Sequence, residues 1–194
     1  LDLCLSGANI SARMARSQAS TSTAKGAGFT LHTERLGPLP LINHFIERLG
    51  LHDTLSRHVA SDARCAVSHA SALGVLLRSI IVEREPIYRQ QETVHGFADG
   101  MFGISAREMA HLGDDRLGRA LDRLFDADRA ALLTELVLAA GQRFGVRFDE
   151  FHNDSTSISF CGSYRGAGGR QIRGRSAPAI TYGRSKAHRP DLKQ

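Results

Sequence analysis

At 194 residues, with 42% apolar and 23% charged side chains, the chain is long enough for a domain or a domain and a half around a sizeable core. No run approaches the roughly 18 uninterrupted apolar residues of a membrane span. Cys4, Cys65 and Cys161 are too few and too widely spaced for a disulfide framework or a zinc-ligand pattern, and they suit a reducing cytosol. The net charge of +5 is unevenly placed. Residues 161–194 hold eight Arg or Lys against Asp191 alone, giving +7, whereas residues 1–164 hold 17 basic and 19 acidic side chains, giving −2. A basic block of this kind suits a polyanion such as DNA, or is a solvated arm.

Residues 1–28 are rich in Ser, Ala, Gly and Thr, with Asp2 the only acid, and read as a disordered leader or an over-extended frame. Gly37-Pro38-Leu39-Pro40 is a rigid lead-in, because proline fixes φ and is tolerated in the first turn of a helix. Leu41, Ile42, Phe45, Ile46 and Leu49 then recur at helical spacing, which predicts a buried stripe that Gly50 terminates. A second short helix is expected over His52–Val59. Residues 70–83 are apolar nearly all round, so they read as the central helix of a bundle, ended by Pro86. Polar helices are expected over 87–98 and 105–112.

Asp114 and Asp115 are expected to cap a helix over 116–125, with Leu117, Ala120, Leu121, Leu124 and Phe125 facing inward. Arg116, Arg119, Asp122 and Arg123 form its charged outer face, solvated or in contact with DNA. Asp126 is expected to cap the next helix, with Leu132, Leu133, Leu136, Val137, Ala140 and Phe144 aligned and Gly145 as its left-handed stop.

From Val146 the period changes to two. Val146, Phe148, His152, Asp154, Thr156, Ile158 and Phe160 share one parity, the apolar face of a strand. A carboxylate on that face needs donors, a cation or water. Alternatively, Asp154 bonds neighbouring backbone amides with Ser155 and Thr156 in a strand-end turn. Gly162–Arg170 lacks the closing Gly-Lys-Ser/Thr of a P-loop and reads as a hairpin connection, and Ala179–Tyr182 as a short strand.

Four stretches carry a family resemblance: Leu36-Gly37-Pro38-Leu39-Pro40-Leu41-Ile42, Asp114-Asp115-Arg116-Leu117-Gly118-Arg119-Ala120-Leu121-Asp122, His152-Asn153-Asp154-Ser155-Thr156, and His188-Arg189-Pro190-Asp191-Leu192-Lys193-Gln194. In this order they resemble the N-terminal half of a bacterial insertion-sequence DDE transposase. Ala187 departs from the family, which commonly has an acidic or polar residue there.

The resemblance implies a mainly α N-terminal helical domain (36–145) followed by the truncated start of an α/β ribonuclease-H-like domain (146–194). It implies that Asp154 is the first catalytic carboxylate and a ligand of Mg2+, in a chemistry where two ions roughly 3.5–4 Å apart assist in-line attack at phosphorus. The first residue is Leu, not Met, and the last falls in an expected strand, so both ends read as cut. The second Asp and the Glu of the family do not appear before Gln194, so the fragment reads as inactive alone. Lys186, His188, Arg189, Lys193, Arg165 and Arg170 are the residues expected to contact DNA at element ends and inverted repeats. A homo-oligomer in the bacterial cytoplasm, with no membrane partner, fits the same picture. The alternatives are a non-catalytic DNA-binding remnant or inhibitor of transposition, and a helical interaction domain with a disordered tail.

Overall fold

Pro38 and Pro40 lead the chain into α1 (Leu39–Leu49), and Gly50 ends it at φ +67°, a conformation glycine adopts without strain. The computed structural model, which describes residues 33–62, 64–150, 158, 160 and 162–182, continues at once into α2 (Leu51–His58). Ser68 caps α3 (His69–Val82), its hydroxyl accepting from the Ser71 amide. The single polar helix expected over 87–98 is instead a 3-10 turn at Ile87–Arg89 followed by the short α4 (Gln90–His95). The chain breaks there because Gly96 closes the turn and Phe97 folds into the core.

Similarly, the helix expected over 105–112 shrinks to α5 (Ala106–Met109), closed at its start by a reciprocal Ser105–Glu108 capping box. α6 (Asp114–Asp126) and α7 (Arg129–Phe144) complete the helices of the described residues. None of them is long and apolar enough to cross a membrane.

The described residues divide into two compact units, 33–149 and 150–182. The first is mainly helical. α3 packs against α1, α2, α4 and α6, and α7 packs against α1 and α2. This central place for α3 agrees with its apolar sequence, but two details differ. Ile80 and Ile81 are exposed, while Arg78 is 9% exposed and buried in their stead. The helix ends with Arg84 at φ +52°, its amide donating to the Ser79 carbonyl, before Pro86 is reached.

Other expectations are corrected by which side of each helix meets a neighbour. In α1 the fully buried side chain is Leu39, with Ile42, Ile46 and Leu49 packed partly against the core, while Leu41 and Phe45 face out. At 100° per residue these two lie off the line through positions 39, 42, 46 and 49. In α7 Leu132 is buried and Leu136 partly so, whereas Leu133 and Val137 are exposed, a third of a turn away from α2. In α6 Leu117 and Ala120 are buried but Leu121 is exposed.

The caps are also redistributed. Gly113 is the N-cap of α6, so Asp114 and Asp115 lie in its first turn, where carboxylates meet the positive end of the helix dipole. Asp128, not Asp126, caps α7, its Oδ1 accepting from the Ala131 amide at 3.0 Å. Gly145 does end α7 in the left-handed region.

Between α4 and α5 the chain has no regular structure, yet Phe97, Phe102 and Ile104 are all buried and the two phenyl rings meet edge to face at 5.3 Å. One polar group fixes this loop. The buried Arg78 donates through Nε to Asn43 Oδ1 at 2.7 Å and through Nη1 to the Gly74 carbonyl at 3.0 Å. Asn43 in turn donates to the Met101 carbonyl at 2.9 Å. α3, α1 and the loop are thereby joined at one guanidinium. Burial pulls the Arg78 pKa below the ordinary arginine value, and Glu47 opposes that by favouring the charged form.

In the second unit, β1 (Gln171–Ile172) pairs antiparallel with β2 (Arg175–Ser176). The strand expected from Val146 does not begin there. Val146 and Phe148 lie in irregular chain and are largely exposed, with Phe148 folded back over Gly141. His152, Asp154 and Thr156 lie outside the described residues. Ile158 is exposed, against the buried parity expected of it. Ala179 makes an isolated bridge to Gly168 instead of opening a strand.

Gly103 lies over the buried guanidinium at φ +76°, where a Cβ would come within 2.8 Å of Arg78 Nη2. Gly100 has the same φ with nothing within 4 Å. Gly103→Ala is therefore expected to lower the unfolding free energy by about 2–4 kcal/mol through strain plus overpacking. Gly100→Ala should lower it by about 1–2 kcal/mol through strain alone. Urea titrations of both variants check this, and equal losses would remove the role given to the Arg78 contact.

Candidate nucleic-acid interface

Residues 158–182 contain four arginines and no Asp or Glu. Charge of one sign with no acid in the segment to offset it favours an anionic partner. The glycines of this stretch let it turn tightly. Tyr164–Ala167 closes a turn, with the Ala167 amide donating to the Tyr164 carbonyl at 3.1 Å, and places Arg165 at its exposed corner. Phe160 meets the Tyr164 ring edge to face at 5.5 Å.

The chain then runs up through Arg170, β1, the Arg173–Gly174 connection and β2. The Ala177 amide donates to the Arg170 carbonyl at 3.1 Å and extends the ladder by one rung. Gln171 Nε2 donates across the hairpin to Ser176 Oγ at 2.7 Å. A cleft of about 310 Å³ opens beside this ribbon, lined by Tyr164, Gly169, Arg170, Ile172, Ala177 and Pro178. That is at the small end of ligand sites. Its one guanidinium and its glycine backbone suit a phosphate better than a large cofactor.

Of the residues singled out from the sequence, Arg165 and Arg170 are therefore exposed on the same unit, and Arg170 lines the cleft. Asp154, Lys186, His188, Arg189 and Lys193 lie outside the described residues. Among the described residues no group of three or more His, Cys, Asp or Glu comes together to hold a metal ion. Sequence reasoning passed over Arg173 and Arg175, placing the hairpin connection at 162–170. The signal that marks the true tip is Arg173-Gly174, a two-residue x-Gly turn between Gln171-Ile172 and Arg175-Ser176.

The helical unit carries polar clusters of a different kind. Glu135 on α7 accepts from His58 Nε2 at 2.7 Å and from Arg57, and these two partners hold its carboxyl below the usual range. This cluster joins α7 to α2. Arg116 donates to Cys65 Sγ at 3.1 Å, while its Nε and Nη2 are buried without a hydrogen-bond partner.

His69, in the first turn of α3, is 5% exposed. Its Nδ1 lies 2.8 Å from the Ala60 carbonyl, which can only accept, so Nδ1 carries the proton. Burial is the main cause that lowers its pKa, and Arg116 and Arg123 add to the effect against the Ala60 bond. These groups tie helices together, and none of them converges on an open cleft.

Because the His69 pKa is depressed in the folded chain, the unfolded chain binds more protons just below pH 6.5, and stability rises with pH there. Stability is expected to fall as pH drops from 7 through about 6.5 toward 5. His69→Gln should flatten that limb while leaving the separate loss below about pH 4.5, where Glu135 gains its proton. Thermal midpoints across this range measure it. An unchanged limb in the variant would assign the pH dependence to other groups.

Residues 31–138 match the family described as a domain of unknown function, DUF4277, and the chain belongs to that family. The match spans α1 through Leu138 in α7. No curated protein and no solved structure matches the chain.

Proposed function

We propose that this member of the DUF4277 family is the N-terminal part of an insertion-sequence DDE transposase, and that its own activity is binding duplex DNA. The four motifs in their order, the last two being His152–Thr156 and the basic segment around His188, support the family reading. On that reading residues 146–194 open an α/β ribonuclease-H-like domain, and Asp154 supplies one of several carboxylates that hold divalent ions. One carboxylate cannot hold two metal ions. Binding, not strand cleavage, is accordingly the activity assigned to residues 1–194.

The observation that carries the DNA reading is the acid-free stretch 158–182, in which Arg165, Arg170 and Arg173 are exposed and Arg175 is half-buried. The helical unit contrasts with it. Residues 33–149 hold 14 basic and 16 acidic side chains, a net charge of −2. Non-specific affinity for DNA comes from neutralised phosphates and released counterions, so it follows the ribbon and its flanking basic residues.

Fluorescence anisotropy with a labelled duplex of arbitrary sequence tests this on the full chain. Binding is expected at low salt, with log K falling against log salt at a slope of about −0.9 per phosphate neutralised, between about −2 and −4 in total. Absence of binding at about 50 mM salt, or binding indifferent to salt, would contradict the proposal. Incubated with Mg2+ and duplex DNA, residues 1–194 should leave both strands intact. Reproducible cleavage abolished by Asp154→Ala would overturn the assignment of binding alone.

A further inference from the structure

One side of α7 faces away from the core of the helical unit. Its inner side runs through Leu132 and Leu136. About half a turn away lie Ala130, Thr134, Val137 and Gly141, spaced four, three and four residues apart. That is the rhythm of a helix seam that receives a second helix. Leu133 and Leu138 flank the seam, and with Val137 they are 61%, 55% and 50% exposed. The apolar surface of this face is on the order of 400 Å², the size at which the largest patch of a monomer is often functional.

The charged residues of α7 are turned elsewhere. Glu135 accepts from His58 and Arg57 on α2, Arg143 donates to the Arg48 carbonyl at 2.6 Å, and the Arg129 guanidinium lies over the Phe125 ring. The outer face thus offers no cation to a phosphate, so DNA is not its partner.

The order of side chains along the face identifies the occupant. About a point between Glu135 and Leu136 it reads alike in both directions. Thr134 mirrors Val137, which has nearly the same shape, Leu133 mirrors Leu138, and Ala130 mirrors Gly141. A two-fold interface uses the same patch twice and so needs a self-complementary one. A different partner would impose no such symmetry. The ends also match by size: the Phe148 ring covers Gly141 at one end, and the exposed Ala130 and Ala131 leave room at the other. Antiparallel pairing further sets the positive N-terminal end of one helix beside the negative C-terminal end of its mate.

We propose that α7 pairs antiparallel with α7 of a second copy of this chain, about a two-fold axis between Glu135 and Leu136. Thr134 packs on Val137 of the second copy, Ala130 lies under its Phe148 ring, and Leu133 and Leu138 close the two edges. The face is about half of the roughly 800 Å² that each partner gives a standard interface, so the dimer is reversible, with a Kd of about 10–100 µM. This inference does not rest on the DNA-binding reading.

Sedimentation equilibrium of the full chain over about 1–300 µM tests it, at about 0.5 M salt so that any DNA is released. The mass is expected to rise from 21.1 kDa toward twice that value. Thr134→Glu and Val137→Lys alter exposed positions, so unchanged far-ultraviolet circular dichroism is expected of both. Each alone brings like charges together across the axis and should weaken association by about 10-fold or more. Mixed in equal amounts, the two variants should associate more tightly than either alone, because the new carboxylate of one chain meets the new ammonium of the other. Ile80→Lys, at an exposed apolar position on α3, should leave association unchanged.

A wild-type chain that stays at 21.1 kDa throughout would refute the dimer. Association that neither α7 variant weakens, or that Ile80→Lys weakens equally, would refute this surface. A mixture no tighter than its components would refute the antiparallel pairing.

Discussion

A single buried guanidinium constrains the helical unit. Arg78 lies in the most apolar helix of the described residues, between residues that would otherwise make a continuous hydrophobic face. A buried cation is costly unless its donors are met, and removing one partner of such a group costs several kcal/mol. Asn43 and the Gly74 carbonyl meet two of them, and Asn43 reaches the Met101 carbonyl with its remaining amide. The placement of α1 on α3, and of the 97–104 loop on both, follows from that one group. Gly103 is part of the same constraint, since any side chain there would occupy the space of the guanidinium. The loop delivers Phe97, Phe102 and Ile104 to the core, so apolar burial and the polar staple reinforce each other.

The second unit is built on opposite terms. Its hairpin is two residues per strand, exposed except at the half-buried Arg175, and held by ladder bonds and a Gln171–Ser176 side-chain bond. Two-stranded hairpins are marginal in water on their own. The chain thus separates its tasks. The near-neutral helical unit holds the core, and on the proposed reading the arginine-bearing unit supplies the charge that binds DNA.

Much of the helical architecture was legible in the sequence because its signals are local. The spacing of apolar residues marked α1, α3, α6 and α7, and Gly50 and Gly145 stopped helices where their left-handed φ requires. What was not legible depends on neighbours. Leu41, Phe45, Leu133 and Val137 satisfy helical spacing as well as the residues that are buried, and only the direction of the adjoining helix separates the two sets. Asp126 and Asp128 are both good caps, and the geometry of the α6–α7 connection chooses Asp128. Phe97 and Phe102 sit in chain without a period, so no pattern announced their burial. In the site, the excess of arginine was plain from composition. Its placement on a ribbon tip was not, because Arg173 occupies a position where the usual turn residues are Asn, Asp or Gly.

The most direct measurement of this division of labour is an amide NMR titration of the full chain with a duplex of arbitrary sequence. The account predicts that the resonances that shift cluster in residues 165–177, while those of α1, α3 and α7 stay in place. Shifts concentrated instead on the outer face of α6, at Arg119 and Arg123, would place DNA on the helical unit and contradict it.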